Sequence, residues 1–311
     1  MGGAMKRILL AGLAGLLVIP SMTLPAIAAR PPRPPAMESV ITMLVDGWLV
    51  IETDGGVLDV GIETDIPARL REDLDRVVRR WRFYPVVIDG NARRARSPMR
   101  ITLATHKVSE GYSITVDHVL FPNPEGTSVA GVIDNGSVII STRRRVMPEY
   151  PTELLRGRGV EGAVLLAIRV GRDGRVAEVI VRQSALYDVS GQDQVLRDVA
   201  ELLEDSALQA VKRWKFNVQL KTDAPDPSDL TFLQQVHYTL EGPKQGARRT
   251  DSKAAPTLWR MEVRTARRPI PWIKDDLEEA LAGVSDLRGG EMLPAGNRVR
   301  VAEGGAGDPV M

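Results

Sequence analysis

The chain contains no cysteine, which excludes disulfides, thiolate-ligated metal centres and the acylated cysteine of a bacterial lipoprotein, and leaves stability to packed cores. Histidine is nearly as scarce. His106, His118 and His237 are the only three, and none sits in a motif that pairs an imidazole with a nucleophile or a metal. His118 and His237 fall in extended runs as the alternating polar residue. Aromatic residues make up 5% and the net charge is +1. Charge so evenly balanced gives no overall field for nucleic acid, and Arg143-Arg144-Arg145 reads as solvated linker charge. No P-loop, H-E-x-x-H or paired-carboxylate pattern occurs. The sequence therefore points away from a dedicated enzyme and requires neither cofactor nor metal.

One fragment does match a nucleotide fingerprint: Gly157 to Gly162 reads GRGVEG. Such glycines hold a pyrophosphate only when they follow a strand and open a helix, whose free N–H groups bind the anion. Here a short helix beginning at Pro151 precedes them and the β-branched run Val164 to Val170 follows. A glycine closing a helix before a strand accounts for the pattern.

What is present begins with 311 residues, 43% hydrophobic and 26% charged, enough for two domains with their own cores. Lys6 and Arg7 precede the apolar run Ile8 to Ile19, and Ala26-x-Ala28 follows. That layout is a secretory leader over residues 1–28, and a retained anchor over Ile8 to Ala29 is the alternative. Membrane contact is expected only in the second case. Residues 29–40 are a short proline-rich spacer, too brief to cross a wide gap.

An internal repeat organises the rest. LREDLDRVVRRWRFYP from Leu70 aligns without gaps on LEDSALQAVKRWKFNV from Leu203, at a constant offset of 133. Leu70, Leu74, Val77, Val78 and Trp81 answer Leu203, Ala207, Ala210, Val211 and Trp214, one face of a helix in each copy. Both tryptophans end the apolar stripe and read as core anchors. Upstream, Asp54-Gly55 answers Asp173-Gly174 as a hairpin turn between extended runs. The expected fold is α+β: two tandem units, over 41–121 and 148–242, each a small antiparallel sheet packed against a helix. Residues 122–147 form a linker whose extended runs are read as attached to the first copy. The tail, 243–311, is charged and largely disordered apart from an amphipathic segment over Trp272 to Val284.

The second copy resembles the C-terminal domain of the TonB family of energy transducers. Pro148, Tyr150 and Pro151 fit its P-x-Y-P, Gly159, Gly162 and Val164 its G-x-x-G-x-V, and Asp173, Gly174 and Val176 its D-G-x-V hairpin. Ser184, Ala207, Trp214 and Phe216 fit the serine and the helix ending in W-x-F. The match covers under a third of the chain, and the first copy is a degenerate relative. Asn217-Val218 stands where the family usually has a proline, and the apolar N-terminal segment lacks the family's functional histidine.

The resemblance implies a tendency to bind extended peptides. Together with the leader and the missing catalytic motifs, it leads to the expectation of a periplasmic, non-enzymatic module that binds an extended segment of an envelope or outer-membrane protein by strand addition, with a link to outer-membrane transport. An inner-membrane transducer is the alternative, and a self-associating envelope protein, such as a homodimer, the second. The implied site is the closing strand of the second copy, with Thr231, Leu233, Gln234, Gln235 and His237 as partner-binding residues.

Overall fold

Both D-G turns fold the chain the same way. In the computed structural model, Gly55 and Gly174 have φ of 87° and 75°, a left-handed conformation that only glycine adopts without strain. A Cβ on either would lie 2.0 or 2.1 Å from the carbonyl oxygen of Phe83 or Phe216. Those phenylalanines donate their amides back to the Gly55 and Gly174 carbonyls at 2.9 and 2.8 Å. The structure describes residues 37–88, 90–109, 111–122, 131–156, 159–240, 259–274, 277, 280–295 and 299–311. The expected leader, residues 1–28, and most of the expected spacer lie outside them.

In the first copy, β1 (Glu38–Ile51) and β2 (Val57–Ile62) form the hairpin, followed by α1 (Ala68–Val78) and β3 (Arg82–Phe83). A ribbon of β4 (Val87–Ile88) and β5 (Asn91–Ala92) leads to the long strands β6 (Ala95–Val108) and β7 (Gly111–Leu120). Next come β8 (Val132–Asp134) and β9 (Val138–Arg144). The second copy runs through β10 (Gly162–Val170), β11 (Val176–Tyr187), α2 (Asp193–Val211), β12 (Lys215–Leu220) and β13 (Thr231–Tyr238). The C-terminal part adds β14 (Arg260–Arg264), β15 (Met292–Pro294) and β16 (Val301–Glu303). Gly162 opens strand β10, so the glycines of the nucleotide-like fragment lead into a strand.

The expectation of two separate sheet-plus-helix units is overturned. The described residues form a mostly β protein with two α-helices, and nine antiparallel strands belong to one sheet, ordered β15-β13-β10-β11-β14-β1-β6-β7 with β2 beside β1. The physical reason is β14. It pairs with Glu38–Thr42 of β1 on one side and with Ala185–Tyr187 of β11 on the other, joining the two copies edge to edge. Residues Pro35–Met311 accordingly form one compact unit.

Alternation along each strand divides the core between the two faces. On one face Leu70, Leu74, Val77 and Trp81 pack with Val45, Leu49, Met99 and Ile101, while Leu203, Ala207, Val211 and Trp214 pack with Val164, Leu166 and Ile168. The intervening residues Ala163, Leu165 and Ala167, with Leu233, meet Ile270, Leu281, Ala282, Val284 and Leu293 from the C-terminal part. The described part of the supposed tail thus includes a layer of the fold. The supposed linker also carries structure: β8 and β9 form a three-stranded sheet with β12, and Ile133, Val138 and Ile140 enter the α2 core. It belongs to the second copy, not the first. Among the described residues no helix is long and apolar enough to cross a membrane.

Candidate functional site

The sequence places the site on β13, and the structure puts this chain's own C-terminal part there. On its inner side β13 pairs with β10 from Gly162 to Arg169. On its outer side Phe232, Leu233 and Gln234 pair with Pro294, Leu293 and Met292 of β15, and the Ala295 amide donates to the Thr231 carbonyl at 3.0 Å. The expected partner edge is therefore occupied over this stretch. Hydrophobic Met292 and Leu293, both buried, hold it there.

The side chains are engaged in the same way. Thr231 Oγ1 donates to the Pro227 carbonyl at 2.7 Å and accepts from Trp272 Nε1 at 2.9 Å. Leu233 is fully buried in the core beneath the C-terminal layer. Gln234 Nε2 donates to the Glu291 carbonyl at 3.0 Å, and Gln235 Nε2 to the Val284 carbonyl at 2.6 Å. His237 Nε2 lies 2.5 Å from Gln235 Oε1. His237 keeps an exposed edge, yet its ring stands 6.3 Å from that of Tyr187 and beside Gly289. Desolvation, followed by the Arg260 guanidinium, pushes this imidazole down to about 4.

Polar side chains fasten the C-terminal layer across the sheet. Arg182, 2% exposed, donates to the carbonyls of Ala282 and Leu281. Arg100 makes a bidentate pair with Glu291 at 2.6 and 3.0 Å and reaches Asp46 at 3.0 Å. Burial lowers the Arg100 pKa, but Glu291 and Asp46 outweigh it and hold the guanidinium charged. Glu262, with no exposed surface, accepts from Thr42 Oγ1 at 2.8 Å and from the Ser285 hydroxyl.

Asp286 accepts from Thr102 and lies 3.0 Å from His118 Nδ1. That second contact is a close approach at poor hydrogen-bond angle, since Nδ1 has no aligned partner. Burial raises the Asp286 carboxyl, but His118, Arg267 and the Thr102 hydroxyl together hold it well below the usual carboxylate range. Ser184, which fits the serine of the family pattern, lies within β11, and its hydroxyl donates to buried Glu204 of α2 at 2.5 Å. These groups are spent on one another, and that pattern fastens a structure.

Beside the β1–β14 seam, a cleft of about 280 Å³ is lined by Glu38, Asp117, Gln183, Arg264, Thr265, Ala266 and Arg267. Arg264 pairs with Asp117 at 2.7 and 2.8 Å and with Glu38 at 2.7 Å. Its charge is neutralised inside the cleft. Among the described residues no cluster of His, Asp and Glu is arranged to hold a metal ion.

Three other edges decide where a further strand can add. The outer edge of β7 is covered near Ile114 and Val116, which exchange backbone hydrogen bonds with Gly307, Asp308, Val310 and Met311. The outer edge of β2 is blunted: Asp59 Oδ1 caps the Val60 amide at 2.9 Å, and Arg71 occupies the Ile62 carbonyl at 2.6 Å. On β11 the chain after β14 runs alongside as far as Arg182, where the Arg268 amide donates at 2.7 Å. Residue 269 is proline, which has no N–H to continue the ladder. Beyond it, Val176–Val181 pairs with β10 and, among the described residues, with no strand on its other side. Sequence reasoning missed this edge, although Pro269 and the charge alternation in Arg260–Arg264 signal where the added strand starts and stops.

The arrangement defines a class of protein: an antiparallel sheet protein whose own C-terminal part packs on one face and pairs with stretches of β13, β7 and β11. No protein-family model, curated protein or solved structure matches the chain.

Proposed function

We propose that the protein is a non-enzymatic binding module of the cell envelope, exported to the periplasm, that holds an extended segment of a partner protein by strand addition along Val176–Val181 of β11. The carrying observation is that edge: backbone groups there are bonded on one side only, in line with β14, which already lies on the same strand. The sheet takes extended chain readily, as β14, β15 and the stretch at Gly307–Met311 show within the molecule. Val179 and Ile180 pack partly on opposite faces, which offers an added strand apolar contact on both sides. The TonB-like residues of the second copy and the leader-like N-terminus support the reading.

Ala177 supplies the test. The register shift between Arg169 and Val170 leaves Ala177 opposite no residue of β10, so proline there removes an edge donor at little cost to the sheet. A photo-crosslinking residue at Ala177 should give an adduct with an envelope protein in cells, and one at exposed Glu201 on α2 should not. Capture from a neighbouring edge position should survive Ala177→Ser and be lost in Ala177→Pro with unchanged circular dichroism. Adducts between two copies alone would favour self-association through β11. No adduct at Ala177 would remove the proposal.

A further inference from the structure

The segment Arg79 to Arg100 holds seven arginines and one acidic residue, a local excess hidden by the near-neutral whole. Arg79, Arg80, Arg82, Arg93, Arg94 and Arg96 are all exposed. Some are engaged: Arg79 with Asp75, Arg94 with Glu52, and Arg96 over the Trp48 ring. Arg80 and Arg93 make no ion pair among the described residues. Within this segment lies the β4–β5 ribbon, a two-stranded sheet separate from the main one.

A ribbon this short is marginal in water, and its exposed positions are normally polar. Here Val87 and Ile88 are 61% and 50% exposed, and Tyr84 at its base is 56% exposed. Consecutive strand residues point to opposite faces, so both faces of the ribbon present apolar surface. Cations sit at its base: the Arg93 amide closes the ribbon on the Val86 carbonyl at 2.9 Å, and the Arg300 guanidinium stacks 5.2 Å from the Tyr84 ring.

We propose that this ribbon and its arginine base dock the folded protein on an anionic phospholipid surface, independently of the N-terminal segment. The chemistry fits in two parts. Apolar side chains at the end of a projecting element enter the headgroup–acyl boundary, and arginines behind them pair with lipid phosphates. A polyanion such as nucleic acid would use the arginines and leave Val87 and Ile88 without a role. A lipid surface uses both.

The test takes Pro35–Met311, the compact unit that contains all three cores described above, and measures co-sedimentation with vesicles. Binding should be strong on phosphatidylcholine mixed with phosphatidylglycerol, absent on phosphatidylcholine alone, and weakened by salt. The double variants Val87→Ser/Ile88→Ser and Arg80→Gln/Arg93→Gln should each weaken it by about tenfold or more, with unchanged thermal unfolding because the four side chains are exposed. A wild-type unit that ignores anionic vesicles overturns the proposal. So does undiminished binding by either folded variant. Equal binding to single-stranded DNA, with Val87 and Ile88 dispensable, would make this a general polyanion surface instead.

Discussion

Trp81 and Trp214, at the same place in each copy, are 0% and 2% exposed, yet their indole N–H groups are satisfied differently. Trp214 donates to the Val146 carbonyl at 2.7 Å, whereas Trp81 reaches forward to Asp308 at 2.7 Å. The first copy thus borrows from the C-terminal part what the second finds just upstream of itself. Removing a buried aromatic leaves a cavity, so Trp214→Ala should cost about 3 to 5 kcal/mol in urea unfolding. A loss near zero would mean the ring is not a core anchor. His237 gives a pH signature. Its pKa falls from 6.5 to about 4 on folding, so the folded state binds fewer protons between these values and stability rises with pH there. The contribution is fully present above about 6.5 and is lost as pH drops through about 4. His237→Gln should flatten the stability profile over that window.

At the scale of elements, the decisive piece is β14, five residues in the middle of a nine-stranded sheet. Of its three charges Glu262 and Arg264 are buried and have partners on β1, β7 or the C-terminal layer, whereas the Arg260 side chain stays 38% exposed beside Glu262. Arg264, 5% exposed, neutralises Asp117 and Glu38 at once. Breaking a buried pair from one side strands the other charge, so Arg264→Met should destabilise the protein by about 3 to 5 kcal/mol. Replacing Asp117 with leucine in the same chain should recover part of the loss. If the double variant is no better than the single one, the pairing is not what holds the strand.

For the whole molecule, sharing β14 should make the two copies unfold together. In each of two variants that keep only Trp81 or only Trp214, with the other indoles replaced by phenylalanine, the midpoint and slope read from the remaining indole should match those read by circular dichroism on the same variant. Two separate transitions would show that each copy is stable by itself and that β14 is a weak seam. The acid limb of stability should also carry Asp286. Its folded pKa is depressed, so its contribution is present above about 3.9 and is lost as pH falls below that value. Asp286→Asn should lower stability at neutral pH and reduce the acid dependence.

Local physics made much of this legible in the residues themselves. The D-G turns demand a positive φ, the apolar stripes of both helices demand a sheet to cover, and the paired tryptophans mark where each stripe ends. These depend on neighbours a few residues away, and sequence order records such neighbours. The edge of β13, the burial of Glu262 and Asp286, and the opening along Val176–Val181 were set only by tertiary structure. Each depends on where Arg260–Arg264 and Met292–Pro294 settle, and a short segment with alternating charge reads as solvated tail until partners far along the chain neutralise it.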